Sequence, residues 1–408
     1  METTVQSPAV APARHARSRP GLALGLLASI IVSLLASSSA PTPLYATYQA
    51  RWGFSPITTT VVFGAYAVAV LVALLIFGRL SDHVGRRPVL FAALAVQAAT
   101  MVVFAYAGDV GVLIGARIVQ GLATGAAVGA IGAAMLDVDR TRGTVVNSVA
   151  PGFGTAAGAL ASALVVRFLP APTHLIYLML MAVFLLQIVG VAVLRETVTA
   201  KPGAIAAMVP EVRIPRRVRR PMAIAAPVMF AVWALAGFYG SLSPALTAGL
   251  VHSRSALYGG LGLFTLAGVA AVSVLLMRDV RVRPVMYVGT GALIVGVIGT
   301  LLAVDAGSTL GFFVGTAVAG LGFGSGFQGG IRMVAPLAEP HERAGVLSAT
   351  YVVCYLGMGV PAVIAGVLVV HGGGLLVTAR EYGAAVVLLA AIALVGLLLD
   401  RPKAQAPA

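Results

Sequence analysis

Gly78-Arg-Leu-Ser-Asp-His-Val-Gly-Arg-Arg-Pro-Val-Leu90 is a tight basic loop with apolar runs of membrane-spanning length on both sides, 56–77 before it and 89–107 after it. Gly78 and Gly85 permit close backbone approach and positive φ. Pro88 suits the first turn of a new helix. Asp82 stands among Arg79, Arg86 and Arg87, a spacing that predicts a short charged network. A loop of this kind belongs at the water-facing end of two helices that cross a bilayer.

The composition agrees. Of 408 residues, 59% are hydrophobic and 10% charged, whereas a soluble domain carries about 25% charged residues. That much apolar surface needs lipid as its solvent. The net charge of +14 would suit nucleic acid, but the charges fall almost entirely between apolar runs, so no nucleic-acid partner is expected. Cys354 is the single cysteine, which excludes an intrachain disulfide and a C-x-x-C site. It reads as a small buried hydrophobe.

Runs of about 20 apolar residues give twelve spans, at 21–45, 56–77, 88–107, 110–135, 145–168, 173–194, 222–248, 256–277, 284–304, 309–332, 344–370 and 381–399. Residues 1–20 are expected to form a disordered cytoplasmic N-terminus and 400–408 a cytoplasmic tail. Ala36-Ser-Ser-Ser-Ala40 looks like a cleavage site, but the run is longer than a signal-peptide core and continues into Pro41-Thr-Pro-Leu-Tyr45, so an uncleaved first span is expected. With the N-terminus inside, 22 of the 27 Lys and Arg fall on the cytoplasmic side. Arg51, Arg167, Arg254 and Arg380 fall outside, and Arg117 lies within a span. This asymmetry predicts a multi-pass protein of the cytoplasmic membrane with both termini inside. The connector 195–221 carries Arg213-Ile-Pro-Arg-Arg-Val-Arg-Arg-Pro221, a segment expected to rest on anionic lipid.

The chain repeats itself weakly. Thr42-Pro43 is echoed by Ser243-Pro244, and Asp82 to Pro88 by Asp279 to Pro284. Gly121, Leu122 and Gly125 are echoed by Gly320, Leu321 and Gly324, and Gly154 by Gly357. Two pseudo-symmetric bundles of six helices are therefore expected, 21–194 and 222–399, with a substrate site between them near the bilayer midplane.

One charge is placed inside the membrane. The fourth span contains Gly115-Ala-Arg-Ile-Val-Gln-Gly-Leu-Ala-Thr-Gly125. Arg117, Gln120 and Thr124 fall at i, i+3 and i+7, on one helical face. Gly121, Gly125 and Gly129 make a smooth stripe for close helix packing. An Arg here must face water or a partner, or snorkel outward.

These motifs carry a family resemblance. The 78–90 loop is similar to the G-x-L-[AS]-D-x-x-G-[RK]-[RK] loop between helices 2 and 3 of the major facilitator superfamily. Gly78, Leu80, Ser81, Asp82, Gly85, Arg86 and Arg87 match, and His83 stands where the family usually has Arg or Lys. Arg117, Gln120 and Gly121 match the family's fourth-helix R-x-x-q-G motif, whose Arg points into the cavity. The fifth span, Ala150-Pro-Gly-Phe-Gly-Thr-Ala-Ala-Gly-Ala-Leu-Ala-Ser162, resembles the antiporter helix G-x-x-x-G-P-x-x-G-G. Gly154 and Gly158 match it, while Ala159 replaces the Pro and Pro151 lies upstream.

The resemblance runs from about Gly21 to Asp400 and implies a secondary transporter that works by alternating access. It implies a cytoplasmic gate at Gly78, Asp82, Gly85, Arg86 and Arg87. It also places spans 1, 4, 7 and 10 around the cavity. Polar residues there become candidates: Ser37, Thr42 and Tyr45; Arg117, Gln120 and Thr124; Trp233, Tyr239, Ser241 and Ser243; Thr316, Ser325 and Gln328. Tyr351 and Tyr355 in span 11 join them. The twelve-span drug-efflux, drug:proton antiporter branch is the expected relative, with efflux of a small organic molecule by a monomer. The alternatives are an importer or facilitator of a small anionic or neutral metabolite, and a sensor or scaffold that no longer transports.

Absences narrow the mechanism. The sequence has no glycine-rich phosphate loop with its Lys and no metal-spaced cluster, so no cofactor and no metal is expected, and nothing suggests an enzyme. All acidic residues lie at span ends, in loops or at the termini. Proton coupling would have to run through Asp82, Asp109 or Asp137. An unpaired Arg117 predicts a cavity that disfavours cations and accepts neutral or anionic compounds.

Overall fold

The computed structural model describes residues 20–251 and 255–400. The expected N-terminal segment, Arg254 and the tail from 401 lie outside the described residues. Among the described residues, twelve helices are long and apolar enough to cross a membrane. They are α1 (Pro20–Trp52), α2 (Pro56–Phe77), α3 (Arg86–Ala105), α4 (Val110–Val138), α5 (Arg140–Phe168), α6 (Pro172–Val193), α7 (Arg216–Ser241), α8 (Ala256–Leu276), α9 (Val282–Asp305), α10 (Thr309–Leu337), α11 (Arg343–His371) and α12 (Gly374–Leu399). No strand occurs among the described residues.

Each helix overlaps one predicted run. The ends differ because a helical ladder does not stop where apolar residues stop. α5 starts at Arg140 rather than 145, since Asp139 caps it by accepting from the backbone N–H groups of Thr141 and Arg142 at 3.0 and 2.9 Å. α7 starts at Arg216, so most of the basic run expected in the connector forms the first turns of a helix. α12 starts at Gly374, well before 381, where Gly373 and Gly374 turn the chain with φ of +106° and +88°.

The two first helices of the halves share an interruption. α1 is regular from Pro20 to Ser39, passes through a 3₁₀ turn at Thr42–Leu44 and resumes at Tyr45. α7 ends at Ser241 and a short helix follows at Ser243–Val251. The Thr42-Pro43 and Ser243-Pro244 echo marks these two breaks.

Packing repeats as well. α1 packs on α5, α2 on α4, and α3 on α6; in the second half α7 packs on α11, α8 on α10, and α9 on α12. The small-residue stripes make these contacts close. A Cβ on Gly121 would lie 2.7 Å from the Tyr66 carbonyl oxygen of α2, and one on Gly125 would lie 2.6 Å from that of Val70. Their counterparts Gly320 and Gly324 sit on Leu266 and Ala270 of α8 in the same way. Gly154 and Gly158 of α5 meet Val32 and Ala36 of α1, and Gly357 of α11 meets Phe230 of α7. Leu186 and Val189 on α6 and Leu388 and Leu399 on α12 stay exposed, an apolar surface that lipid covers.

The halves touch through α2 with α11 and α5 with α8. At the end where α1 meets α2, Thr42 Oγ1 donates to the Gly240 carbonyl at 3.0 Å, Phe63 packs on Gly240 and Thr60 on Gly366. At the other end the connector bridges them. Lys201 N–H donates to the His83 carbonyl at 2.8 Å, Arg79 binds Glu211 at 2.9 Å, and Arg213 N–H donates to the Gly345 carbonyl at 3.3 Å.

Candidate functional site

The 78–90 loop holds a short helix, Ser81–Val84, before α3. Positive φ is needed at Gly85, which sits at φ +100°. Gly78 is right-handed at φ −57°, and its backbone instead lies against α4, where a Cβ on Gly129 would come within 3.2 Å of the Gly78 carbonyl oxygen. The expected network around Asp82 is split three ways. Arg86 takes Asp82, Ser81 at 2.7 Å and Asp137 at 3.3 Å. Arg79 leaves for Glu211, and Arg87 donates to the carbonyls of Val191 and Ala192 at the end of α6. Successive residues leave a helix about 100° apart, so Arg86 and Arg87 cannot converge on one carboxylate.

Sequence reasoning missed Glu196. Its carboxylate accepts from the backbone N–H groups of Arg86 and Arg87, each at 2.9 Å, and from Thr197 and Val198 at 2.9 and 3.2 Å. It therefore caps the start of α3 from a position just beyond α6. Burial pushes its carboxyl up, but the four backbone donors hold it below the ordinary value of 4.5. Gly85 makes room, since a Cβ there would lie 2.6 Å from the Glu196 Oε2 atom.

Arg117 is 0% exposed, so it does not snorkel outward. Its Nη1 donates to the Ser38 carbonyl at 2.9 Å and to Gln120 Oε1 at 2.8 Å. Its guanidinium lies over the Tyr66 ring, 4.5 Å from the centroid. Gln120 in turn donates to the Ser37 carbonyl at 3.1 Å, and Thr124 donates to the Gln120 carbonyl at 2.8 Å. Gln97 of α3 completes the group by donating to the Gln120 carbonyl and to Thr124. Gln97 and Tyr66 were not read as site residues, although a Gln in mid-span was the available signal.

No carboxylate neutralises this cation among the described residues. Asp109 caps α4 by accepting from Val112 N–H at 2.9 Å, which holds it at the helix end. Among the described residues the Nε and Nη2 of Arg117 reach no acceptor in good hydrogen-bond geometry, and the buried Tyr45 hydroxyl lies beside the guanidinium. The site thus holds a buried positive charge with unused donors.

The other candidates divide. Trp233 joins an aromatic group with Phe327 and Tyr355. Tyr239 bonds Thr316 at 2.6 Å, and Ser325 bonds Ser273 at 2.7 Å. Gln328 donates to the Val274 carbonyl at 3.1 Å and Ser241 to that of Gly237 at 2.7 Å. These bonds join or brace helices of the second half. Thr42 instead joins the halves, and the buried Ser243 hydroxyl has no partner among the described residues.

A sequence model described as Major Facilitator Superfamily matches residues 25–360. The chain belongs to the major facilitator superfamily. Two solved structures share the fold. The human organic anion transporter MFSD10 (TETRAN) has a TM-score of 0.67 and 17% identity, covering 94% of this chain and 100% of that one. A mutant of the nucleoside transporter NupG has a TM-score of 0.68 and 14% identity, covering 93% of this chain and 98% of that one. No curated protein matches the sequence. The molecule is a secondary transporter of the major facilitator superfamily and not an enzyme.

Proposed function

We propose that this transporter moves small anionic or neutral organic molecules out across the cytoplasmic membrane by alternating access, as a monomer with both termini inside. The observation that carries the substrate charge is Arg117, fully buried, without a carboxylate and with unused donors. A poorly screened positive charge repels cations and attracts anions. The organic anion named for one structural neighbour supports the same sign. Efflux rests on the fifth-span resemblance, which would set the protein beside the drug-efflux branch with a different charge preference. In this orientation the contacts between Thr42, Phe63 and Gly240 close the outer end. Asp82, paired here with Arg86 and half exposed, would meet α11 when the inner end closes. Within 213–221, Arg217 binds Glu339 and Glu342 and Arg220 binds Asp400, and Arg213, Arg216 and Arg219 would sit on anionic lipid.

The test is flux in proteoliposomes of defined orientation. A small organic anion should move faster than a lipophilic cation, with a weak response to a pH gradient. Arg117→Ala should abolish anion flux, and Arg117→Lys should keep part of it, since the charge remains but the forked donors are lost. Efficient cation transport that Arg117→Ala leaves intact would show that Arg117 only packs. Uptake in the opposite orientation favours the importer reading, and binding without flux favours a sensor.

A further inference from the structure

Around Trp233 the structure gathers rings from both halves. Trp233 of α7 lies 4.8 Å from the Tyr355 ring of α11 and 5.6 Å from the Phe327 ring of α10. Tyr351 lies 6.5 Å from Tyr355. Trp233, Tyr351 and Tyr355 pack against a cluster that Phe63, Tyr66, Ala67, Val70 and Leu74 of α2 form with Met358 and Ala362 of α11, so the group lies at the seam of the two halves. All four second-half rings are only partly buried, although each sits well inside its helix. The Trp233 Nε1 is buried and has no acceptor among the described residues. A core Trp normally finds a partner for that N–H, so packing alone leaves this donor unexplained. Tyr66 ties the group to the cation, with Arg117 over its ring and Tyr355 packed against the cluster that holds Tyr66.

We infer that the site takes organic anions bearing an aromatic ring, the ring held by Trp233, Phe327 and Tyr355 and the anionic group by Arg117. This rests on the charge reading of Arg117. Such a ligand touches both halves at once, as an alternating-access site requires. Its anionic group also supplies acceptors for the unused N–H groups of Arg117.

The chain has two tryptophans, Trp52 and Trp233. In purified Trp52→Phe protein, Trp233 is the sole indole and reports ligand directly. The probes are 3-phenylpropionate, octanoate and 3-phenylpropylammonium, with affinities from calorimetry. The aromatic acid should shift Trp233 emission saturably and bind about tenfold tighter than octanoate. Trp233→Leu should shrink that preference to less than about twofold, and Trp233→Phe should keep most of it. Arg117→Ala should weaken both acids. Equal affinities for the two acids, or a Trp233→Leu change that weakens both alike, would overturn the aromatic site and leave the charge reading standing. Tighter binding of the ammonium probe, or no binding of either acid, would overturn both.

Discussion

Gly85 and Glu196 depend on each other. The Glu196 carboxylate reaches the first N–H groups of α3 because position 85 has no Cβ and can hold φ +100°. Gly85→Ala should therefore destabilise twice, through backbone strain and through loss of the cap, by roughly 2 kcal/mol. Glu196→Gln should cost about 1 kcal/mol at neutral pH. Because backbone donors outweigh burial and lower the folded-state pKa, that difference should be full above the ordinary value of 4.5 and vanish as pH falls through the folded value. In the double variant the two losses should fall short of their sum. Thermal unfolding in detergent from pH 7 to pH 4 measures all three, and simple additivity would separate the residues. Glu196 was illegible in sequence because its partner Arg86 lies 110 positions away. Asp82 was legible as a charge, but its choice of Arg86 over Arg79 was not.

At the scale of helices, glycine marks where backbones meet. A Cβ on Gly158 would lie 2.2 Å from the Ala36 carbonyl oxygen, whereas one on Gly291 in α9 meets nothing within 4 Å. Gly158→Ala should force α5 away from α1 and sharply lower the yield of monodisperse protein. Gly291→Ala should be neutral or stabilising, by about 0.5–1 kcal/mol, through helix propensity. Size-exclusion profiles and melting temperatures of the pair decide it, and equal behaviour would remove the packing argument. The i, i+4 spacing of Gly154 with Gly158, and of Gly121 with Gly125, displayed these stripes before any coordinates. What it left open was the partner helix, which depends on how twelve cylinders arrange.

For the whole molecule, the testable feature is orientation. Gly108 lies exposed in the loop before α4, and Thr199 lies exposed in the connector. Cys354 is 0% exposed and need not be removed. An impermeant maleimide applied to intact cells should label Gly108→Cys and reach Thr199→Cys only after permeabilisation. External labelling of Thr199→Cys would invert the proposed topology.

Twelve helices, their order and their two-fold repetition were determined by the sequence alone. The reason is that lipid leaves a span no choice but to satisfy its own backbone, and each apolar run does so independently of the rest. Arg117 was likewise visible as a lone charge in an apolar stretch, with Gln120 on its face by helical period. Tertiary structure decided which groups answer one another over long distances. It set Tyr66 under the guanidinium, withheld Asp109 by using it as a cap, gave Glu196 to α3 and brought Trp233 to the cluster that α2 and α11 form at the seam of the halves. Those outcomes follow from packing between helices, where small residues and side-chain shape choose the neighbours, and a one-dimensional pattern of apolar and polar residues does not encode that choice.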